Sequence, residues 1–220
     1  MSLRVCLKLL SICLFTMFLT TGVYAEISDK TLNAQLLDYA KQGDETRVKT
    51  LLEKGANPNS RNRLGRTPLY MFAIAGNLPM VKILVEKGAD INLAAVDKTT
   101  PLMAATYEGK PDVMAYLLDL GADISAIDQI NKTAMEYAAG TGCAQCVLLL
   151  LDRGIDVNAR YYHNLTALMW AAGEGQLEMV KLLLERGADP ALVDDRGKAA
   201  LDIAREIDNN DIINLLPKIK

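Results

Sequence analysis

The sequence predicts an all-α solenoid, a stack of helix pairs. Two observations carry this reading. Gly55, Gly88, Gly121, Gly154 and Gly187 are spaced 33 residues apart, and Gly43, Gly76, Gly109, Gly142 and Gly175 run in step with them. Two glycine ladders at one period mean one small unit copied along the chain. Apolar ladders keep the same period: Val48, Val81, Met114, Val147, Val180 and Ile213, then Leu51, Leu84, Leu117, Leu150, Leu183 and Leu216. A unit this small cannot bury such a face alone, so neighbours must stack.

Each unit reads as two helices. Thr67 and Thr100 are suited to N-cap the first, with Pro68 and Pro101 at its first position, where a missing N–H is harmless. That helix is short and Ala-rich, as at Ala138–Ala139 and Ala171–Ala172, which lets neighbouring helices approach closely. The mid-unit glycine ends it in a left-handed conformation. The second helix carries the Val and Leu ladders. Lys54, Lys87, Arg153 and Arg186 stand just before its closing glycine, where a cation complements the helix dipole.

The blocks align without gaps: TPLYMFAIAGNLPMVKILVEKGADIN from Thr67, TPLMAATYEGKPDVMAYLLDLGADIS from Thr100, TAMEYAAGTGCAQCVLLLLDRGIDVN from Thr133 and TALMWAAGEGQLEMVKLLLERGADPA from Thr166. The chain therefore resembles ankyrin repeats, whose signature is TPLHxA, a short turn, a Leu-rich helix and GADVN. The resemblance covers roughly residues 30 to 220. It implies a solenoid of about six helix pairs with β-hairpin-like finger loops. The expected units lie near 34–66, 67–99, 100–132, 133–165 and 166–198, with a C-terminal cap over 199–220. The first and last pairs are atypical: the first lacks TPLH, and the last has Asp208 in place of the mid-unit glycine. Both fit caps with one polar outer face. The finger Leu93–Lys98 lacks the usual Asp and Gly of the turn, so its conformation is expected to differ.

Residues 1–25 stand outside the stack and read as a secretory signal peptide. Arg4 and Lys8 form a basic start, Leu9 to Leu19 is apolar, and Val23-Tyr24-Ala25 offers small residues at a cleavage site. The ankyrin domain then spans 26–220, and the expected localisation is exported, periplasmic in a bacterium or secreted. The segment holds two of the 24 basic residues and none of the 27 acidic ones, which leaves 22 against 27 in the remainder. That acidic balance argues against nucleic acid and against an anionic membrane surface as partner. A monomer with no membrane insertion after cleavage is expected.

Four cysteines reduce to two after cleavage, Cys143 and Cys146. An oxidising compartment favours closing the pair into a disulfide. Helical CxxC also occurs at redox sites, where the helix dipole favours thiolate, but those sites accompany a βαβ pattern that this chain lacks. Two buried thiols are the third reading. Zinc wants four ligands, more than two cysteines and one histidine supply. Asn131 and Asn164 begin glycosylation sequons, but each holds a left-handed turn position, and the following Thr is the helix cap. No P-loop, dinucleotide-binding glycine pattern or EF-hand loop is present. Neither a cofactor nor a metal is expected, and no catalytic residue is assigned.

The resemblance implies a partner-binding concave groove made of finger tips and first helices. Carried over position by position, it comprises Arg63, Arg66, Tyr70, Ile74, Met103, Tyr107, Glu108, Gln129, Ile130, Lys132, Tyr162, His163, Leu165, Met169 and Glu174. The His of TPLH is replaced by Tyr70, Met103, Glu136 and Met169, which is expected to leave an apolar, aromatic strip open for contact. The expected function is an exported, non-enzymatic scaffold for another protein, serving envelope stress defence or neutralising a toxin as an immunity protein. The alternatives are a thiol–disulfide redox protein using Cys143 and Cys146, or a secreted effector acting on host proteins.

Overall fold

A computed structural model of the chain describes residues 30–216. The expected signal segment over 1–25 lies outside the described residues. Among the described residues, twelve α-helices succeed one another as six antiparallel pairs, with no β-strand. Helix α1 covers 30–42 and α2 is Glu45–Glu53. The following pairs are α3 (Pro68–Ala75) with α4 (Leu78–Glu86), α5 (Pro101–Tyr107) with α6 (Pro111–Asp119), and α7 (Ala134–Thr141) with α8 (Ala144–Asp152). Then come α9 (Ala167–Gly173) with α10 (Leu177–Glu185), and α11 (Ala200–Glu206) with α12 (Asn210–Leu215).

Local chemistry sets the helix ends. Thr67, Thr100 and Thr166 accept the N–H of Tyr70, Met103 and Met169 at 3.1, 3.2 and 3.3 Å. Thr133 starts α7 differently: its own N–H donates to Glu136 Oε2 at 2.7 Å. Between the paired helices the chain turns through the left-handed region at the mid-unit glycines, and at Asp208 in the last unit (φ 54°). Asp and Asn tolerate that region because their short polar side chains bond locally.

First helices stack on first helices, and second helices on second helices. One continuous core runs from Leu36 to Leu216. The expected ladders lie in it: Val48, Val81, Met114, Val147 and Val180 are fully buried, as are Leu84, Leu117, Leu150 and Leu183. Ile213 is the exception. It is only half-buried, and the inward place in α12 falls to Ile212. On the loop side, asparagines stitch units together. Asn59, Asn92 and Asn158 accept the N–H of Asp90, Asp123 and Asp189 at 2.8–2.9 Å. Ser125 stands at the equivalent place between Asn92 and Asn158, and a cavity of about 240 Å³ lies there beside Leu150 and Tyr161.

The fingers between units are tight turns closed by paired backbone hydrogen bonds. The finger expected to depart from the pattern does not: Ala95 N donates to Thr99 O at 2.9 Å, and Lys98 N donates to Ala95 O at 3.0 Å. Lys98 takes the left-handed position (φ 62°) that Gly65, Asn131 and Gly197 take in their fingers. The departure occurs one repeat later than Asn131. There His163 and Asn164 are both left-handed (φ 59° and 58°), and a short 3₁₀ turn spans Tyr162–Asn164. Tyr161 occupies the place where Asn62, Asp128 and Asp194 accept two backbone N–H groups of their own fingers, but losing that bond does not by itself explain the change, since Ala95 lacks it too and its finger keeps the common turn. Fingers are also joined to each other. Val96 N donates to Leu64 O, Gln129 N to Asp97 O, and Asp195 N to His163 O, at 2.8–3.1 Å. Gly65 sits under the first of these: a Cβ there would lie 2.8 Å from the Val96 nitrogen.

Leu150→Ala is expected to cost about 2–5 kcal/mol, as truncation of a buried leucine does. Urea unfolding measures the loss. Hydrogen exchange should show protection falling in α6 as well as α8, because a stack passes stability between neighbours.

Candidate protein-binding groove

The side chains at the third position of each first helix turn under the fingers. Tyr70 is 4 % exposed, Met103 1 %, Glu136 2 % and Met169 2 %. The expected open strip at these positions is therefore corrected: all four are buried, with Tyr70 and Met103 at the base of one concavity, Glu136 at that of its neighbour and Met169 in the main core. Tyr70 packs with Ala95 and Ala104 in a small cluster of its own, with Ile74 against it. Ala95 fills the place of the turn-holding Asp of other fingers, and packs against neighbours instead of bonding the turn.

Above Tyr70 and Met103 lies an open groove of about 620 Å³. Of the expected residues, it brings together Arg66, Tyr70, Ile74, Met103, Tyr107, Glu108, Ile130 and Lys132, and it adds Thr99, Ala104 and Tyr137. A second concavity of about 260 Å³ adjoins it, sharing Tyr107, Lys132 and Tyr137 and adding Glu136, Trp170 and Glu174. Tyr107 is 56 % exposed and Ile130 61 % exposed. The Tyr107 and Tyr137 rings meet edge to face with centroids 5.5 Å apart. Lys132 Nζ lies 4.1 Å above the Trp170 ring centroid and 5.5 Å from that of Tyr137. Each contact of this kind holds a cation over the negative face of a ring.

Two buried carboxylates fix this aromatic wall from below. Asp128 Oδ1 accepts the N–H of Ile130 and of Lys132, both at 2.9 Å, and its Oδ2 accepts the Tyr137 hydroxyl. Burial and the nearby Asp128 carboxylate hold the Tyr137 phenol well above its ordinary range. Glu136 Oε2 accepts Thr133 N–H, and its Oε1 accepts Trp170 Nε1–H at 3.0 Å. Burial raises the Glu136 carboxyl above the usual range; the Thr133 and Trp170 donors and the Lys132 charge pull against that without cancelling it. Finger three and helices α7 and α9 are thereby locked together, so rings and ammonium are set before any partner arrives.

Tyr137 and Trp170 were missed from sequence. They stand one residue after the family's His position, and two bulky aromatics 33 residues apart were the available signal. The remaining expected residues lie elsewhere. Arg63 and Gln129 are exposed on finger tips beside the groove. Tyr162 and His163 form a separate group on the fourth finger, with rings 3.9 Å apart and His163 Nδ1 3.4 Å from Asp195 Oδ2. Leu165 lines a different concavity with His163 and Arg196.

Cys143 and Cys146 are joined, with sulfurs 2.01 Å apart and Cα atoms 5.2 Å apart. Cys143 N-caps α8, its Sγ accepting Cys146 N–H at 3.3 Å, and Cys146 is fully buried in the core. Among the described residues, no group of three His, Cys, Asp or Glu side chains could hold a metal ion. No helix among them is long and apolar enough to cross a membrane.

A stack of helix pairs presenting a prearranged concave face defines a repeat scaffold for protein interaction. Comparison with protein families agrees. Residues 36–128 match the family described as Ankyrin repeats (3 copies), 131–162 match Ankyrin repeat, and 150–204 match Ankyrin repeats (many copies). The chain belongs to the ankyrin-repeat family, whose repeats serve protein–protein binding. No curated protein matches it.

The raised Glu136 carboxyl sets a pH dependence. The folded state holds this proton more tightly than the unfolded one, so the contribution to stability is full below the ordinary glutamate pKa. It is lost as pH rises through the folded value. Denaturant unfolding of the wild type and Glu136→Gln across that interval should show stability falling more steeply with pH in the wild type. Trp170→Phe removes one donor to the carboxylate, and should extend the fall to higher pH.

Proposed function

We propose that this chain is an exported, non-enzymatic scaffold that holds another protein in its concave groove. The observation that carries this reading is the aromatic wall of Tyr107, Tyr137 and Trp170 with Lys132, locked by Asp128 and Glu136. Interfaces concentrate their energy in aromatic and cationic side chains held in well-packed surroundings. Cys146 is fully buried and Cys143 half-buried, and the absence among the described residues of the βαβ setting that accompanies helical CxxC redox sites supports a structural cross-link over thiol turnover. Export rests on the basic start, apolar run and small-residue end of residues 1–25. Within an envelope, the scaffold would shield a partner in stress defence or neutralise a delivered toxin as an immunity protein.

Tyr107→Ala and Tyr162→Ala should leave the melting transition nearly unchanged, since both rings are exposed. Tyr107→Ala should weaken partner affinity by more than about 1 kcal/mol, as interface anchors do, whereas Tyr162→Ala, outside the groove, should bind nearly like wild type. Lys181→Ala, on the outer helix face, is the control. A Tyr107→Ala variant that binds like wild type, alongside a control that does not, would place the partner on the convex side. Mass spectrometry of the protein recovered from its native compartment should find Glu26 at the N-terminus; an intact Met1 would remove the case for export.

A further inference from the structure

The groove is better matched to one kind of protein segment than to others. This chain carries more acid than base, yet the larger concavity is lined by two cations, Arg66 and Lys132, and one carboxylate, Glu108. Neither cation belongs to an ion pair among the described residues. The guanidinium of Arg66 lies over the Tyr70 ring at 5.2 Å, and its Nε is buried with no acceptor. Lys132 Nζ is held over Trp170 and Tyr137.

Asp97, Asp128, Glu108 and Glu136 lie near them, but among the described residues none forms an ion pair with either cation. Each oxygen of Glu136 already accepts a hydrogen bond, from Thr133 N and from Trp170 Nε1. Both oxygens of Asp128 are likewise engaged. Glu108 is exposed at the C-terminal end of α5, where water screens it. The heads of Arg66 and Lys132 line the groove without an ion-pair partner, so a carboxylate that reaches either one gains a charge-assisted bond. Between the two cations the lining is apolar: Ile74, Met103, Tyr107 and Ile130.

We infer that the groove takes a linear segment of a partner protein that inserts a large apolar side chain against Tyr107 and sets a carboxylate on Arg66 or Lys132. This deepens the scaffold reading and rests on it. Charge-assisted bonds to a carboxylate are the strong ones, and a guanidinium offers them in a fixed fork. The apolar side chain supplies buried area, and the carboxylate fixes register and excludes basic segments.

The test pans the protein against a displayed library of random peptides and measures one selected synthetic peptide by calorimetry. The expected consensus joins a large apolar residue to a nearby Asp or Glu. Replacing that acid by its amide should weaken binding about ten-fold, a usual scale for a desolvated charge pair. In Arg66→Met or Lys132→Met, whichever holds the acid, the amide replacement should have no further effect, which closes a double-mutant cycle. The ligand-side change needs no refolding of the protein. Basic consensus peptides, no enrichment at all, or equal affinity of acid and amide would each overturn the inference. Tyr107→Ala separates the two readings. Binding that depends on Tyr107 but not on the acid sinks only the carboxylate. Binding that ignores Tyr107 sinks the groove itself.

Discussion

Everything in this structure depends on the burial of one unit's apolar face by the next. A single helix pair exposes its Val and Leu ladder, and no residue of the same pair can cover it. Stacking removes those side chains from water, which stabilises by roughly 25 cal/mol per Å² of apolar surface. The Ala-rich first helices permit the close approach, and the left-handed turns at each unit's middle and end bring the chain back into register. The half-exposure of Ile213 in the last described helix shows the same rule from its edge.

The groove is a by-product of that stacking, but its character is set by polar groups. Buried Asp128 and Glu136 are expensive to take out of water. Each is retained with its oxygens occupied, and each ties a finger or helix to an aromatic ring of the wall. An apolar residue at position 136 would remove the capping bond to Thr133 and the anchor of Trp170 together. The middle repeats thus trade some stability for a wall of fixed geometry, which lowers the entropy lost when a partner docks.

The fold was legible because its signals are local and repeated. Thr–Pro caps, glycine turns and the ladders each recur at one spacing, so a misreading in one unit is corrected by the next. The groove was half legible. Finger tips such as Ile130 and Lys132 fell where the register put them, and Tyr107 is open. Tyr70, Met103 and Met169 were placed correctly along the chain and wrongly in depth. A helical position shared by all units says which way a side chain leaves the helix, not whether a finger lies over it.

The finger conformations divide in the same way. Lys98 follows the common turn although its own residues lack the usual turn chemistry, because neighbouring fingers bond its backbone on both sides, at Val96 and Asp97. The sequence by itself determined the class, the unit, its two helices and the inward ladders, since each follows from spacing and local caps. Only the tertiary structure decided which aromatics line the groove, that Tyr137 and Trp170 are held by carboxylates, and that Arg66 and Lys132 stand without ion pairs across one groove. Those facts join residues from different units, and contacts between units are set by how the stack curves and packs, which no single repeat encodes.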